Sequence, residues 1–375
     1  MILHLAKFSR RSSGGIERVV DWCVSVSNLR GIPSTVVCFE SGGVRVNSET
    51  QPLVREIPCK SSALIARQPI SLGYLITAVR HARHARVVHA HAPNYIALLA
   101  VFIIRLIFWS KRIVIHWHAD VYDGLLPRFL RVVEFVALHA SDAVIFTSCE
   151  YYKSSFVSRF KNLPIQILPI LIADPVDKVR NFSDRGSKSD SVKLIFVGRP
   201  AHYKGIEVLV RAMAELANTD IFLTCLLPIE DKALSRLVAK LGQTERVNFV
   251  IGCDDHQKWA ELRESDIFIL PSISRGEAYG VVLLEAMAFN LPIVTTKIDS
   301  GVRWVADYGR YGIEVEPNNP AALAAGILDT IAKIQANSIV SSRLRFEEIC
   351  LNSKVDCENR LINVLYAATQ FQWDS

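Results

Sequence analysis

What this 375-residue chain lacks removes several classes of protein before any motif is read. Its eight cysteines (Cys23, Cys38, Cys59, Cys149, Cys225, Cys253, Cys350 and Cys357) never fall into a C-x-x-C pair. That spacing excludes a zinc ribbon and a disulfide framework, and it fits reduced, buried thiols in a cytosolic protein. No apolar run approaches the ~20 residues of a spanning helix. The longest, Tyr95–Trp109, is interrupted by Arg105 and is expected to be a buried or interfacial helix. The amino terminus, Met1-Ile2-Leu3-His4-Leu5, runs directly into an expected strand without the n- and h-regions of a secretory signal. No G-x-G-x-x-G follows a strand and no G-x-x-x-x-G-K-[ST] occurs. A nicotinamide dehydrogenase and a P-loop enzyme are thereby set aside. Aromatic residues are not interleaved with basic ones, as stacking on nucleic acid would require.

Half of the residues are hydrophobic and 21% are charged, so the chain can bury large cores. Residues 1–180 carry 22 basic and 12 acidic side chains, whereas residues 181–375 carry 21 and 25. The basic first half suggests an anionic partner there, either a phosphate-rich ligand or a membrane surface. Short β-branched runs alternate with helical patterns, the sequence form of a parallel α/β sheet. Expected strands are Met1–Lys7, Ser34–Phe39, Val87–Ala90, Arg112–His116, Ala143–Thr147 and Ile165–Ile172. A polar, aperiodic stretch, Asn181–Ser191, reads as a linker, after which the alternation restarts at Val192–Val197. The expected domains are 1–180, 192–345, and a helical segment 346–375 packing back toward the first. Two such open sheets would face a cleft and bind ligands at the carboxyl ends of their strands.

Two segments carry chemistry. The first is Leu270-Pro-Ser-Ile-Ser-Arg-Gly-Glu277-Ala-Tyr279-Gly280-Val281, continuing to Glu285, where a buried strand crosses a loop into an apolar helix. Free amides and the positive dipole end at Gly280–Val282 form an anion site, with a carboxylate on either side for sugar or ribose hydroxyls. The alternative treats Glu277 as a helix-start acid and Glu285 as a solvated side chain. In the second segment, Gly198-Arg199 ends a strand and Lys204-Gly205 precedes the next helix, so two cations share one loop and can reach a diphosphate together. Two H-x-H pairs, His89/His91 and His116/His118, each point to one face of a strand, as zinc ligands could. Neither lies near an H-E-x-x-H or a cysteine cluster, so no metal is expected. His118 is assigned a polar contact in the cleft, and His89, His91 and His116 structural roles.

Gly14-Gly15-Ile-Glu-Arg, Gly198-Arg199…Lys204-Gly205 and Glu277-x7-Glu285, in this order, resemble the retaining glycosyltransferases of family 4. That family has the GT-B fold, two Rossmann-like doubly wound parallel-sheet domains. Val114-Ile-His-Trp-His118-Ala-Asp120-Val is similar to the V-x-W-H-S-D-I stretch of members that build polysaccharide and lipopolysaccharide. No Asp-x-Asp occurs, so the Mn-binding signature of the other large glycosyltransferase fold is missing. The resemblance implies that Gly15 lets the backbone approach donor phosphate or acceptor and that His118 lies beside the transferred sugar. It implies that Arg199 and Lys204 hold the diphosphate and Glu277 contacts donor-sugar hydroxyls. The backbone at Tyr279–Val281 would meet phosphate, and Glu285 the ribose. Two departures stand out. Leu227-Pro228 replaces a usual Gly-x-Gly turn, leaving base recognition open, and Pro169-Ile-Leu-Ile-Ala replaces an Asn-Gly pair before the linker.

The expected activity is therefore metal-independent, retaining transfer of a hexose from a nucleotide-diphosphate sugar to a growing, lipid-linked glycan. Mannose on GDP is favoured over a UDP sugar, and no cofactor is expected. A sugar-nucleotide epimerase of the same fold, or a non-catalytic sugar-nucleotide-binding scaffold, are the alternatives. The expected location is cytoplasmic and peripheral, on the inner face of the cell membrane, with Arg105, Lys111 and Arg112 meeting anionic lipid beside the apolar helix.

Overall fold

The computed structural model describes residues 1–10, 14–40, 52–65, 68–121, 128–176, 191–216 and 219–366. The chain forms two compact units, Met1–Leu171 with Lys354–Ser375, and Ile172–Ser353.

Unit 1 begins with β1 (Ile2–Phe8), α1 (Gly15–Leu29), β2 (Ser34–Phe39), β3 (Val54–Cys59), and an antiparallel pair, β4 (Ala63–Ile65) and β5 (Gln68–Ile70). It continues with α2 (Leu72–Ala82), β6 (Val87–Ala92), α3 (Tyr95–Ile107), β7 (Arg112–Trp117), α4 (Arg128–Ala140), β8 (Ala143–Phe146), α5 (Cys149–Ser154) and β9 (Ile165–Ile167). Seven strands make one sheet in the order β3-β2-β1-β6-β7-β8-β9, every pairing parallel. β2 and β6 are buried along their whole length, as a sheet covered on both faces requires. The strand order reverses between β1 and β6. Their carboxyl ends are the position where open sheets of this kind hold ligands.

In unit 2 the elements are β10 (Val192–Val197), α6 (Ile206–Glu215), β11 (Ile221–Leu227), α7 (Lys232–Lys240), β12 (Val247–Ile251), α8 (Asp255–Glu264), β13 (Ile267–Leu270) and α9 (Val281–Ala288). Then come β14 (Ile293–Thr296), α10 (Gly301–Val305), β15 (Gly312–Val315), α11 (Pro320–Gln335) and α12 (Ser342–Phe346). The parallel sheet runs β12-β11-β10-β13-β14-β15, so its order reverses between β10 and β13. The cores of both sheets were legible in the sequence, and β2 and β10 have the expected bounds. Of the strands not foreseen, β3 and β15 are outermost in their sheets, and β4 and β5 form the separate antiparallel pair. β3 carries Arg55, Glu56 and Pro58, a composition tolerated at an edge where one row of amides needs no partner. Ile165–Ile172 is a strand only as far as Ile167.

The two units part at Leu171/Ile172, ahead of the expected boundary at 180. Asp174 accounts for the difference. The Arg343 guanidinium, ahead of α12's end, donates both Nη groups to its carboxylate and also Nη1 to the Ala288 carbonyl, tying 172–174 into unit 2. Residues 181–190 of the expected linker lie outside the described residues. After Ser353 the chain rejoins unit 1 as α13 (Lys354–Tyr366). There Arg112 donates to the Val364 carbonyl and Arg360 to the Ile167 carbonyl.

Helix α3 starts at an Asn94 cap and buries Tyr95, Ile96, Ala97, Leu98, Ala100, Val101 and Ile104. Leu106, Ile107 and Trp109 are exposed at its end, Trp109 by 80%. Among the described residues no helix is long and apolar enough to cross a membrane. The basic residues around this patch are engaged otherwise than expected. Arg105 bridges the Ala140, Trp109 and Lys111 carbonyls and Asp142, and Lys111 donates to the Arg83 and Ala85 carbonyls. These cations brace the loops beside the exposed apolar tip of α3.

Candidate active site

The reversal between β10 and β13 brings their two carboxyl-end loops together. After β10, Gly198-Arg199 leads through a short turn, His202–Lys204, to Gly205. Gly205 sits at φ +69°, and a Cβ there would lie 2.0 Å from the Pro271 carbonyl oxygen. Only glycine satisfies both the left-handed backbone and that approach. The second loop is held by the Ile273 amide, which donates to the Tyr203 carbonyl at 2.8 Å, and the Tyr203 ring lies over Gly276. Gly198 in turn leaves room for the Lys204 stem, since a Cβ there would be 2.9 Å from Lys204 Cδ.

This scaffold aims Lys204 at Glu277. Lys204 Nζ donates to Glu277 Oε2 at 2.5 Å, and both side chains are buried to about nine-tenths. One ammonium proton engages the carboxylate, which leaves the group's other donors for an anion. Arg199 stands on the same loop, exposed, with Nη2 3.3 Å from the Tyr203 hydroxyl. The cation on this loop that is buried is therefore Lys204, and Arg199 is the exposed one.

Helix α9 begins beside them. Its cap, Gly280, has φ +75°, and a Cβ would meet Leu283, Leu270 and Val302 at 3.1–3.3 Å. Tyr279 is buried against Trp304. The amides of Val281 and its successors thus stand at a helix start, where partial positive charge favours an anion. One turn on, Glu285 is 2% exposed and accepts from Lys258 Nζ at 2.7 Å; Lys258 also donates to Asp255 at 2.7 Å. The reading of Glu285 as a solvated side chain is overturned: it is a buried carboxylate held by a buried lysine. Lys258 escaped the sequence reading. Its signal is an inward position on α8, four residues before the buried Leu262.

In unit 1, Gly15 opens α1 after β1, and the Glu17 carboxylate folds back against Gly14. His118 follows β7, is 5% exposed, and its Nε2 lies 3.1 Å from His91 Nδ1. Burial lowers its pKa to about 3, so the ring is neutral. The neighbouring Trp117 and Asp120 are architectural. The indole N–H donates to Asp120 at 2.7 Å, the Ser155 hydroxyl donates at 2.8 Å, and the Asp120 amide donates to the Tyr151 hydroxyl. The W-H-x-D spacing therefore closes a turn with Trp117 and Asp120 and leaves His118 on the opposite face of the strand.

Residues 177–341 match the family model described as glycosyl transferases group 1. They form a group 1 glycosyltransferase domain. Over most of its length the chain is similar to the D-rhamnosyltransferase WbpZ of Pseudomonas aeruginosa, 26% identical over 86% of this chain and 84% of that protein. It is 24% identical to an O-antigen chain mannosyltransferase C of Escherichia coli, over 93% and 94% of the two chains. Among solved structures, a sucrose-phosphate synthase from Thermosynechococcus elongatus superposes with a TM-score of 0.75 at 19% identity, covering 97% of this chain and 98% of that one. The lipopolysaccharide glycosyltransferase WaaG superposes at 0.68 with 16% identity over 98% and 100%. With two parallel, doubly wound sheets and these neighbours, the fold is GT-B. The glycosyltransferase domain contains every one of Arg199, Lys204, Glu277, Gly280 and Glu285.

Proposed function

We propose that this glycosyltransferase retains configuration while moving a hexose, mannose-type in preference, from a nucleotide-diphosphate sugar to a hydroxyl of a growing, lipid-linked glycan. The Lys204–Glu277 pair beside the start of α9 carries the reading. It sets a fixed cation, a sugar-facing carboxylate and free helix amides at one switch point. The transition state is oxocarbenium-like, and negative charge grows on the departing diphosphate. Lys204, Arg199 and the amides at Gly280–Val281 stabilise that charge in place, without reorganisation. Glu277 orients the sugar through its hydroxyls, and Glu285, fixed by Lys258, takes the ribose. His118 and Gly15 serve the transferred sugar and the acceptor. Retention follows from attack on the leaving-group face, with the diphosphate accepting the acceptor proton. No side chain is assigned as a nucleophile.

A GDP-linked donor is favoured because this chain's long relatives include proteins named as a D-rhamnosyltransferase and an O-antigen chain mannosyltransferase. The second of these names also supports an acceptor in polysaccharide or lipopolysaccharide synthesis. Peripheral membrane attachment through Leu106, Ile107 and Trp109 would bring the protein to such an acceptor.

Nucleotide release from a panel of sugar nucleotides, with and without a membrane lipid extract, tests the reading. Release from a GDP sugar that requires the extract and continues in excess EDTA is the expected result. Isomerised sugar nucleotide without an acceptor would favour the epimerase, and binding without turnover the scaffold. Loss of turnover that Mn²⁺ restores would remove metal-independent transfer.

A further inference from the structure

Five histidines share one face of the unit 1 sheet. His4 on β1 stands opposite His89 on β6, and His91 opposite His116 on β7, with His118 two residues further. All are 0–5% exposed. Adjacent rings lie 4.2–5.9 Å apart between centroids. A doubly covered parallel sheet normally fills such positions with aliphatic side chains. Here eight ring nitrogens have no hydrogen-bond partner in the protein: both of His4, His89 and His116, His91 Nε2 and His118 Nδ1. Buried polar atoms are very largely paired, so eight in one patch point to a guest.

The chemistry of that guest follows from the donors. Desolvation by burial is the leading influence on all five rings, lowering His4 to about 3, and the charges felt by His89, His91 and His116 come from other histidines. Every ring is therefore neutral at neutral pH and offers a lone pair without competition from a proton. An anion gains nothing from such a set, whereas imidazole nitrogen suits zinc, copper, cobalt and nickel. Two overlapping triads bring one nitrogen per residue within 4.8 Å of one another: His4, His89 and His91, and His91, His116 and His118. His91 Nδ1 and His118 Nε2 already face each other at 3.1 Å, so each of these rings has one nitrogen fewer to give in the second triad. In the second triad the rings are 6–22° from parallel. In the first, His4–His89, His89–His91 and His4–His91 are tilted by 55°, 43° and 25°, and both nitrogens of His4 and His89 and Nε2 of His91 have no partner in the protein.

We propose that His4, His89 and His91, on the adjacent strands β1 and β6, bind one divalent transition-metal ion of the zinc class. Three nitrogens leave a fourth position for water. The ion takes no part in the transfer assigned to unit 2's residues, so the site stands or falls separately from the proposed reaction.

The test uses the full chain, stripped with chelator and titrated with Co²⁺, a coloured reporter for zinc sites. One Co²⁺ per chain is expected, with the intense visible bands of four-coordinate nitrogen ligation and a rise in Tm, and Zn²⁺ should displace it. His4→Leu and His89→Leu should each stay folded by circular dichroism and lose at least a hundredfold in Co²⁺ affinity. His116→Leu should keep it. His4→Gln provides a second variant should the leucine disturb the sheet. Wild-type protein without stoichiometric binding overturns the site. So do bands that survive in both the His4 and His89 variants, or bands that only the His116 variant loses.

Discussion

The interiors of the two units treat polar groups in opposite ways. Around the unit 2 switch point buried charged side chains stand in pairs: Lys204 with Glu277, and Lys258 with Glu285 and Asp255. On one face of β1, β6 and β7 in unit 1 they are instead imidazoles, and among these five rings His91 to His118 is the single ring-to-ring hydrogen bond. A charge must be paired when it leaves water, because desolvation costs several kcal/mol per ion. An imidazole can instead give up its proton, so it can be buried without a counter-charge. Unit 2 thus holds an electrostatic device with fixed signs, while unit 1 holds lone pairs.

The largest test of that contrast removes one member of a pair. Lys204→Met should lower kcat/KM by about 10²–10³, since a contact strengthened in the transition state is lost. It should also destabilise the fold by about 3 kcal/mol, because Glu277 is left buried and alone. Adding Glu277→Gln should restore most of the stability and none of the turnover. Recovery of turnover in the double variant would show that the pair serves only the fold. The same logic applies to Lys258→Met, where about 3 kcal/mol of stability should be lost and donor KM raised with kcat less affected. Equal loss in kcat would move Glu285 from nucleotide binding into the chemistry.

Acid sharpens the comparison from the other side. His4 and His118 have folded-state pKa values lowered to about 3, against 6.5 for an ordinary histidine. Below 6.5 the unfolded chain binds protons that the folded one refuses. Their contribution is complete above pH 6.5 and declines as pH falls from 6.5 toward 3, by about 1.4 kcal/mol per pH unit for each ring. Urea midpoints of the chelator-treated chain at pH 7.5, 6 and 5 should fall accordingly, and His4→Leu should flatten the dependence. An unchanged slope would mean that His4 titrates normally.

A comparable effect is expected from Gly205→Ala. The left-handed backbone costs about 1 kcal/mol for a residue with a Cβ, and the overlap with the Pro271 carbonyl adds to it. Because Gly205 directly follows Lys204, turnover should drop more than stability; an unaffected melt and rate would show that the loop relaxes freely. The smallest change concerns the exposed tip of α3. Trp109→Ser should leave the melt within about 0.5 kcal/mol yet reduce flotation with liposomes. Undiminished flotation would place any lipid contact elsewhere.

By itself the sequence determined the fold class and the composition of the candidate site. Alternation of β-branched runs with helical periods specifies parallel sheets because side-chain direction repeats every two residues in a strand and every 3.6 in a helix. Motif spacing placed Gly198, Arg199, Lys204, Gly205, Glu277, Gly280 and Glu285 at strand ends and helix starts. The edge strands β3 and β15 were not legible, since an edge tolerates the polar residues and proline that mask the pattern. Only the tertiary structure decided which groups meet. Lys204 and Glu277 are 73 residues apart, and Lys258 and Glu285 are 27 apart. No local period encodes such pairings; they follow from the order in which the strands lie in the sheet. The histidines show this most plainly. Two H-x-H pairs seemed separate and ordinary, and His4 was only part of a first strand. Parallel pairing in register set all five on one face, because β1, β6 and β7 are neighbours in space and not in the chain.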